Sequence, residues 1–568
     1  MLSLSACTTA DKTAAARSQP GNSAAAFDLI IEGGLVIDGS GAEGRTADVA
    51  VLGDRIAAIG DLGNAAARVR IDARGKVVSP GFINMLSWAV QSLREDGRGV
   101  SDIAQGVTLE VFGEGVSMGP VPPGGLDSGT ASDLDMQAGD FPPWQTLGEY
   151  LQHMEDSGIA PNVASFVGAT TLRVHELGLE NRAPTTEELL RMQELAREAM
   201  REGALGLGSS LIYPPAFFAS TEELIALASA VAEFDGMYVS HLRNESDRLA
   251  DAIDELLRIA SEAGVRAEIY HLKVAGRDNW ANFASVVAQI ENARKAGIDV
   301  AANIYTYPAG ATGLTASLPP WSGEGGIPAL IRRLQDPLVR GQILDEMRAD
   351  QDEWENLLRA AGPEGVLLSS FDNPGLARFA GRRLDDVASE MGVSAQEAVL
   401  TLIEQEQSRV EATYFLMSDD NVAKKIALPW VSFGSDAGTY AATVENRKNV
   451  VHPRAYGTFA RVLGRYVRED NLLSLSEAVH KLSGLPASRL GLKNRGLLRE
   501  GFFADIAVFD PQTITDTASF EQPHQLATGV SDVLVNGTLV WQSGASTGAL
   551  SGRFVKGPGY QAQDRGPP

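Results

Sequence analysis

The sequence predicts an α/β protein: a (β/α)8 TIM-like barrel joined to a small β-sandwich domain built from both chain ends. Three observations lead there. Short Val- and Ile-rich runs broken by Gly and Asp fill residues 27–80, in "FDLIIEGGLVIDGSG", "ADVAVLGDRIAAIGDL" and "RVRIDARGKVVSPG". The same texture returns late in the chain, in "GFFADIAVFD" and "SDVLVNGTLVWQSG". Between these ends, strand candidates alternate with helical patterns. A chain of 568 residues also exceeds what one simple core supports.

Residues 1–26 read as a flexible tether rich in Ala, Ser and Thr. Within them Leu4-Ser5-Ala6-Cys7 resembles the lipobox of bacterial lipoproteins, in which the cysteine thiol is acylated. The alternative is a polar tail with one chance cysteine, and no basic segment or long apolar stretch precedes Cys7. Residues 27–80 and 485–555 make the discontinuous β domain, and 556–568 a flexible tail.

Residues 81–484 hold the barrel. Its eight strand candidates are "GFINML", "TLEVFGEG", "VASFVGAT", "LGLGSSLIY", "YVSHLR", "AEIYHLK", "VAANIYTYP" and "VSFGSDAG". "TTEELLRMQELAREAMREG" carries a Thr cap and helical apolar spacing, and "NESDRLADAIDELLRIASEAG" ends at Gly264 as a helix should. An insert over about 311–428, with an acidic helical stretch and "LPPWSGEGG", is placed to cover the barrel mouth as a lid.

The apolar fraction of 44% and charged fraction of 21% are those of a globular protein. A formal charge of −25 argues against a nucleic-acid or anionic-membrane surface, which needs clustered Lys and Arg. No run of about 18 apolar residues marks a membrane span, so a lipid at Cys7 is the one membrane attachment expected. An acylated Cys7 places the protein in the bacterial cell envelope, at the periplasmic face.

Function in such a barrel collects at the carboxyl ends of the strands. Reading those ends yields Glu114, His241, His271 and Asp436. Only seven histidines occur, yet His241 and His271 close consecutive strands 30 residues apart. That register sets two imidazoles side by side on the rim, each able to ligate zinc at about 2.0–2.1 Å. Either one alone would read as a hydrogen-bonded core histidine. Glu114 lies between Gly113 and Gly115, which let the chain turn and bring its carboxylate to an ion. Two histidines and a glutamate make a three-ligand site with an open position for water. Asp436, in "FGSDAG", is placed to take a proton from that water; its bland alternative is a helix N-cap.

"FDLIIEGGLVIDGSG", "PGFI", "NVASFVG", "GALGLGSSLIYPP", "HLRNE", "HLK", "FGSDAG", "HPRAYGTF" and "LPASRLGL" together resemble the N-acyl-D-amino-acid deacylases (D-aminoacylases) of the amidohydrolase superfamily. The resemblance runs in consistent order from about Phe27 to Arg553. It implies a metal-dependent hydrolase acting on the amide bond of small N-acyl amino acids, with one Zn2+ or another divalent metal per chain. By the same resemblance His241 and His271 bind metal and Asp436 is the catalytic aspartate. Tyr213, Lys273, Tyr305 and Arg454 match residues that hold the substrate carboxylate or line its pocket.

The chain departs from that pattern. Where the family has His-x-His after "PGFI", Leu86 and Trp88 stand, expected here as an apolar pocket wall. Glu114 stands for the family's cysteine, Ala169 for a histidine and Ala311 for a pocket serine. A second metal site built on His-x-His is thereby excluded, and the first survives if Glu114 replaces the cysteine. Carboxylate for thiolate makes the ion a harder Lewis acid. Two other readings remain: a catalytically inactive lipid-anchored scaffold, or a hydrolase of cyclic amides, peptides or esters. Nothing in the sequence sets an oligomeric state.

Overall fold

The structure, a computed structural model, describes residues 26–122, 125, 143–350, 353–441 and 450–562. Cys7 and its lipobox lie outside the described residues.

Strands from both chain ends share one sheet. Phe27–Val36 pairs antiparallel with Arg45–Leu52, which turns into Arg55–Gly60. The other side of Phe27–Val36 pairs in parallel with Ala67–Asp72 and then Val77–Pro80. Ile506–Phe509 lies against Val77–Pro80 and carries Val530–Val535 and Thr538–Gln542 beyond it. Successive side chains of a strand alternate between faces. Leu29 and Ile31, Val49 and Val51, and Ile506 and Val508 therefore meet in one core. Ile56 N–H donates to the Phe502 carbonyl at 2.9 Å, so the expected sandwich is one sheet curled round that core.

All eight expected barrel strands form, in order: Phe82–Asn84, Val107–Phe112, Asn162–Ser165 continuing as Val167–Gly168, Gly206–Ser210, Met237–His241, Arg266–Ile269, Val300–Ile304 and Val431–Phe433. Their pairings are parallel throughout. The last strand meets the first through backbone hydrogen bonds, from Met85 N–H to the Phe433 carbonyl at 3.1 Å and from Asp436 N–H to the Leu86 carbonyl at 2.8 Å. Ile83, Leu109, Val111, Ala164, Leu205 and Val239 fill the interior. Helix Thr186–Glu202 begins on a Thr185–Glu188 capping box, and Leu249–Ala263 stops at Gly264 in the left-handed region.

The insert folds as a three-stranded antiparallel sheet of Gly310–Gly313, Glu411–Tyr414 and Val366–Ser370, with helices packed around it. It covers the strand ends and, with them, encloses a cavity of about 480 Å³. The tail expected to be free from 556 is not so at its start: Gly557 N–H donates to the Gly203 carbonyl and Gln561 N–H to the Arg201 carbonyl. The carbonyls at the end of helix Thr186–Glu202 lack partners within the helix, and this segment supplies them.

Candidate active site

Glu114, His241 and His271 converge at the floor of the cavity, all buried, with their ligand atoms within 4.8 Å of one another. Glu114 Oε1 lies 2.9 Å from His241 Nδ1 and 3.0 Å from His271 Nε2. The two imidazoles stand edge to face, with centroids 4.5 Å apart. Gly113 (φ 107°) and Gly115 (φ 71°) make the turn that delivers Glu114. A Cβ on Gly113 would stand 2.4 Å from the Phe166 carbonyl oxygen, so no other residue fits this turn without moving the next strand.

Two residues at the strand ends hold positive φ without being glycine: His271 at 33° and Asp436 at 52°. Such backbone is unfavourable for side chains with a Cβ and persists only where surroundings impose it. His271 N–H donates to Asn303 Oδ1 at 3.0 Å, and Asp436 N–H to the Leu86 carbonyl at 2.8 Å. Both side chains are thereby turned into the cavity.

Glu245, four residues beyond His241, supplies what the sequence reading missed. It accepts from His271 Nδ1 at 3.1 Å and from Lys273 Nζ at 2.9 Å. A carboxylate on the far nitrogen of a ligating imidazole fixes its tautomer and ring plane. The residue stands within the quoted "HLRNE", but only the fold shows which imidazole it serves. Burial opposes its charge, yet Lys273 and both histidines hold the Glu245 carboxyl well below the usual range. On His271, burial and Lys273 work against a positive charge, but the Glu245 and Glu114 carboxylates outweigh them and push it up to about 9. A pocket that keeps a buried imidazole protonated favours a cation. His241 Nε2 is buried without a hydrogen-bond partner. One carboxylate and two imidazoles suit a zinc site with an open position. The donor set fits one divalent ion.

Asp436 Oδ2 lies 2.7 Å from Arg454 Nη1. Burial raises the Asp436 carboxyl, and Arg454 works against that rise. Arg454 lies 4.6 Å from the Tyr305 ring centroid; its Nε and the Tyr305 hydroxyl have no hydrogen-bond partner. Tyr213 sets its ring edge against His241, with centroids 5.4 Å apart. These residues line the cavity, as do Lys273 and Ala311.

Two expectations change. Lys273 faces the cavity, but its ammonium contacts both Glu245 oxygens and, at 2.7 Å, His271 Nδ1. Glu245 is its counter-charge, since a buried ammonium is costly unless paired. Its ammonium is therefore paired with Glu245 rather than left free for a substrate carboxylate. Leu86 is no pocket wall: it lies in the barrel core with Ile83, Met85 and Leu109. Gly434, just past the eighth strand, comes so close that a Cβ there would stand 2.8 Å from Leu86 Cβ. Trp88 does line the cavity, and its indole N–H also donates to Glu114 Oε2 at 2.8 Å.

The model of the amidohydrolase family matches residues 142–541. The D-aminoacylase of Alcaligenes xylosoxydans xylosoxydans is 37% identical over 534 residues, covering 93% of this chain and 97% of that protein. The chain belongs to the N-acyl-D-amino-acid deacylase family of the amidohydrolases. A solved D-aminoacylase, described for a binuclear metal centre with one-metal activation and second-metal attenuation, superposes with a TM-score of 0.78 at 35% identity, covering 93% of this chain and 100% of that one. The N-acyl-D-glutamate deacylase of Bordetella bronchiseptica, solved with zinc and a phosphonate mimic of the tetrahedral intermediate, gives 0.77 at 32% identity over 93% and 99%. In this chain two histidines and one glutamate form the group able to hold a metal.

Proposed function

We propose that this protein is a metal-dependent hydrolase that cleaves the amide bond of N-acyl-D-amino acids. The observation that carries the reading is the convergence of Glu114, His241, His271 and Asp436 in one cavity. A zinc ion held by the first three would supply a Lewis acid that polarises the acyl carbonyl and acidifies water. Asp436, raised by burial, takes the proton of the attacking water and returns it to the departing amine nitrogen. Arg454 stands beside Asp436 with an unpartnered Nε for a substrate carboxylate.

The cavity cations already face acids: Lys273 faces Glu245, Arg454 faces Asp436 and Arg409 faces Glu411. Leu318, Pro319, Ile327, Leu330 and Leu357 from the insert supply an apolar wall. Among the described residues one substrate carboxylate is served and a second finds no further cation, which favours neutral side chains and apolar acyl groups. The reading is tested by release of free amine from matched N-acyl-D- and N-acyl-L-amino acids by zinc-loaded protein. Absence of turnover on every D-substrate overturns it.

The lipobox-like Leu4-Ser5-Ala6-Cys7 supports a further part of the proposal, attachment to the cell envelope by a lipid on Cys7. Mass spectrometry of the N-terminal peptide, and release of a Cys7→Ser variant from membranes, test it.

A further inference from the structure

We propose that Trp88 restricts this centre to a single metal ion, acting as a positioning residue through Glu114. The inference rests on the proposed metal site and carries it one step further. Glu114 presents its two oxygens to different neighbours: Oε1 faces His241 Nδ1 and His271 Nε2, while Oε2 accepts the Trp88 indole N–H at 2.8 Å. A carboxylate that bridges two ions through its two oxygens needs both of them free, and here Oε2 is taken. An indole nitrogen carries a hydrogen and no available lone pair, so it donates to Oε2 and ligates nothing. The partial positive charge of that N–H stands where a second cation would have to approach.

Among the described residues no other ligands stand ready for a second ion. Among the described residues, Glu114, His241 and His271 are the one group of His, Cys, Asp and Glu close enough to hold a metal. Asp436 faces Arg454 at 2.7 Å, Glu245 faces Lys273 at 2.9 Å, and Leu86 lies in the barrel core.

Trp88 is itself held by the barrel closure. Its backbone N–H donates to the Ala437 carbonyl at 3.0 Å, and Ser87 bridges to Ala437 across the same seam. The indole therefore reaches Glu114 from a fixed base, which selects the carboxylate rotamer that points one oxygen at the imidazoles. In the solved D-aminoacylase a second metal attenuates the enzyme. Here the Trp88 indole, held on Glu114, offers such a second ion no ligand.

The test is a zinc titration of the metal-stripped full chain by equilibrium dialysis and calorimetry, alongside a Trp88→Phe variant that keeps the ring and loses the N–H. The parent is expected to bind one zinc per chain. Trp88→Phe is expected to bind it roughly 10–100-fold more weakly, the usual cost of removing an outer partner of a ligand. A second zinc bound by the parent with comparable affinity overturns the proposal, as does an unchanged affinity in a folded Trp88→Phe. Should that variant fail to fold, a Trp88→His variant replaces it, expected to bind the first zinc more weakly or to admit a second; one zinc bound at unchanged affinity overturns the claim. A last arm follows turnover at excess zinc, expected flat for the parent. These binding readouts need no substrate, so loss of the deacylase reading and loss of the one-metal claim are told apart.

Discussion

Asp436 and Arg454 form a buried ion pair, 2.7 Å between Oδ2 and Nη1, at the mouth of the eighth barrel strand. The pair balances two demands on one carboxylate. Burial raises its proton affinity toward that of a useful base, and the guanidinium works against that rise. Asp436→Asn is expected to keep the metal and lose roughly 10²–10⁴-fold in kcat, measured on zinc-loaded protein. Because the folded carboxyl sits above its ordinary range, activity falls on acidification at a higher pH than a free aspartate would set. Arg454→Met removes the opposing charge and is expected to move that acidic limb further up and to raise KM.

Metal retention separates ligands from bystanders. Glu114→Ala and His241→Ala are each expected to lose zinc on dialysis, whereas Tyr213→Phe keeps it. Elemental analysis of the dialysed proteins decides, and full zinc retention by Glu114→Ala would remove the carboxylate from the ligand set.

Glu245 holds His271 and Lys273 together from beneath. Glu245→Ala leaves the buried Lys273 ammonium without its acid, a loss of roughly 3–5 kcal/mol in unfolding free energy. Glu245→Gln keeps one acceptor oxygen for His271 but loses the charge and the second acceptor that face Lys273, and is expected to weaken zinc binding by about tenfold or more. Urea unfolding and zinc titration read the two effects separately.

Glu355 reaches the cavity from the insert, where its Oε2 accepts the Glu245 N–H at 2.9 Å and its Oε1 is buried without a partner. Burial, aided by the Glu245 and Asp247 carboxylates against Lys273, pushes it up to about 8 from an ordinary 4.5. The folded protein thus binds a proton that the unfolded chain releases above its own pKa. This contribution to stability is whole below about pH 4.5 and is lost as pH rises to about 8. Glu355→Gln is expected to flatten that part of the thermal-stability profile, read as melting temperature against pH.

Substrate choice follows from the cavity charges. N-acyl-D-leucine is expected to exceed N-acyl-D-glutamate in kcat/KM by at least about tenfold, since among the described residues a second buried carboxylate finds no further cation. Amine release from the pair measures it, and the reverse order would show that the cavity supplies a cation not accounted for by these pairs.

Local chemistry in the sequence carried most of the architecture. Strand texture at 27–80 and after 501 identified one domain from two ends, and eight strand signals with their caps identified the barrel. His241, His271, Glu114 and Asp436 were legible because strand ends of a parallel barrel share one face, whatever fills the rest. Other features were not, because they depend on approach between distant segments. Leu86 belongs to the core because the eighth strand closes against it, and Lys273 serves Glu245 because burial demands a counter-charge. Glu355 enters the cavity only once the insert has folded over the barrel. Trp88 offered the plainest contrast. Its sequence position says that a metal ligand is missing; only the tertiary structure shows its N–H bound to Glu114, since a hydrogen bond is set by distance and direction between side chains, which residue order does not specify.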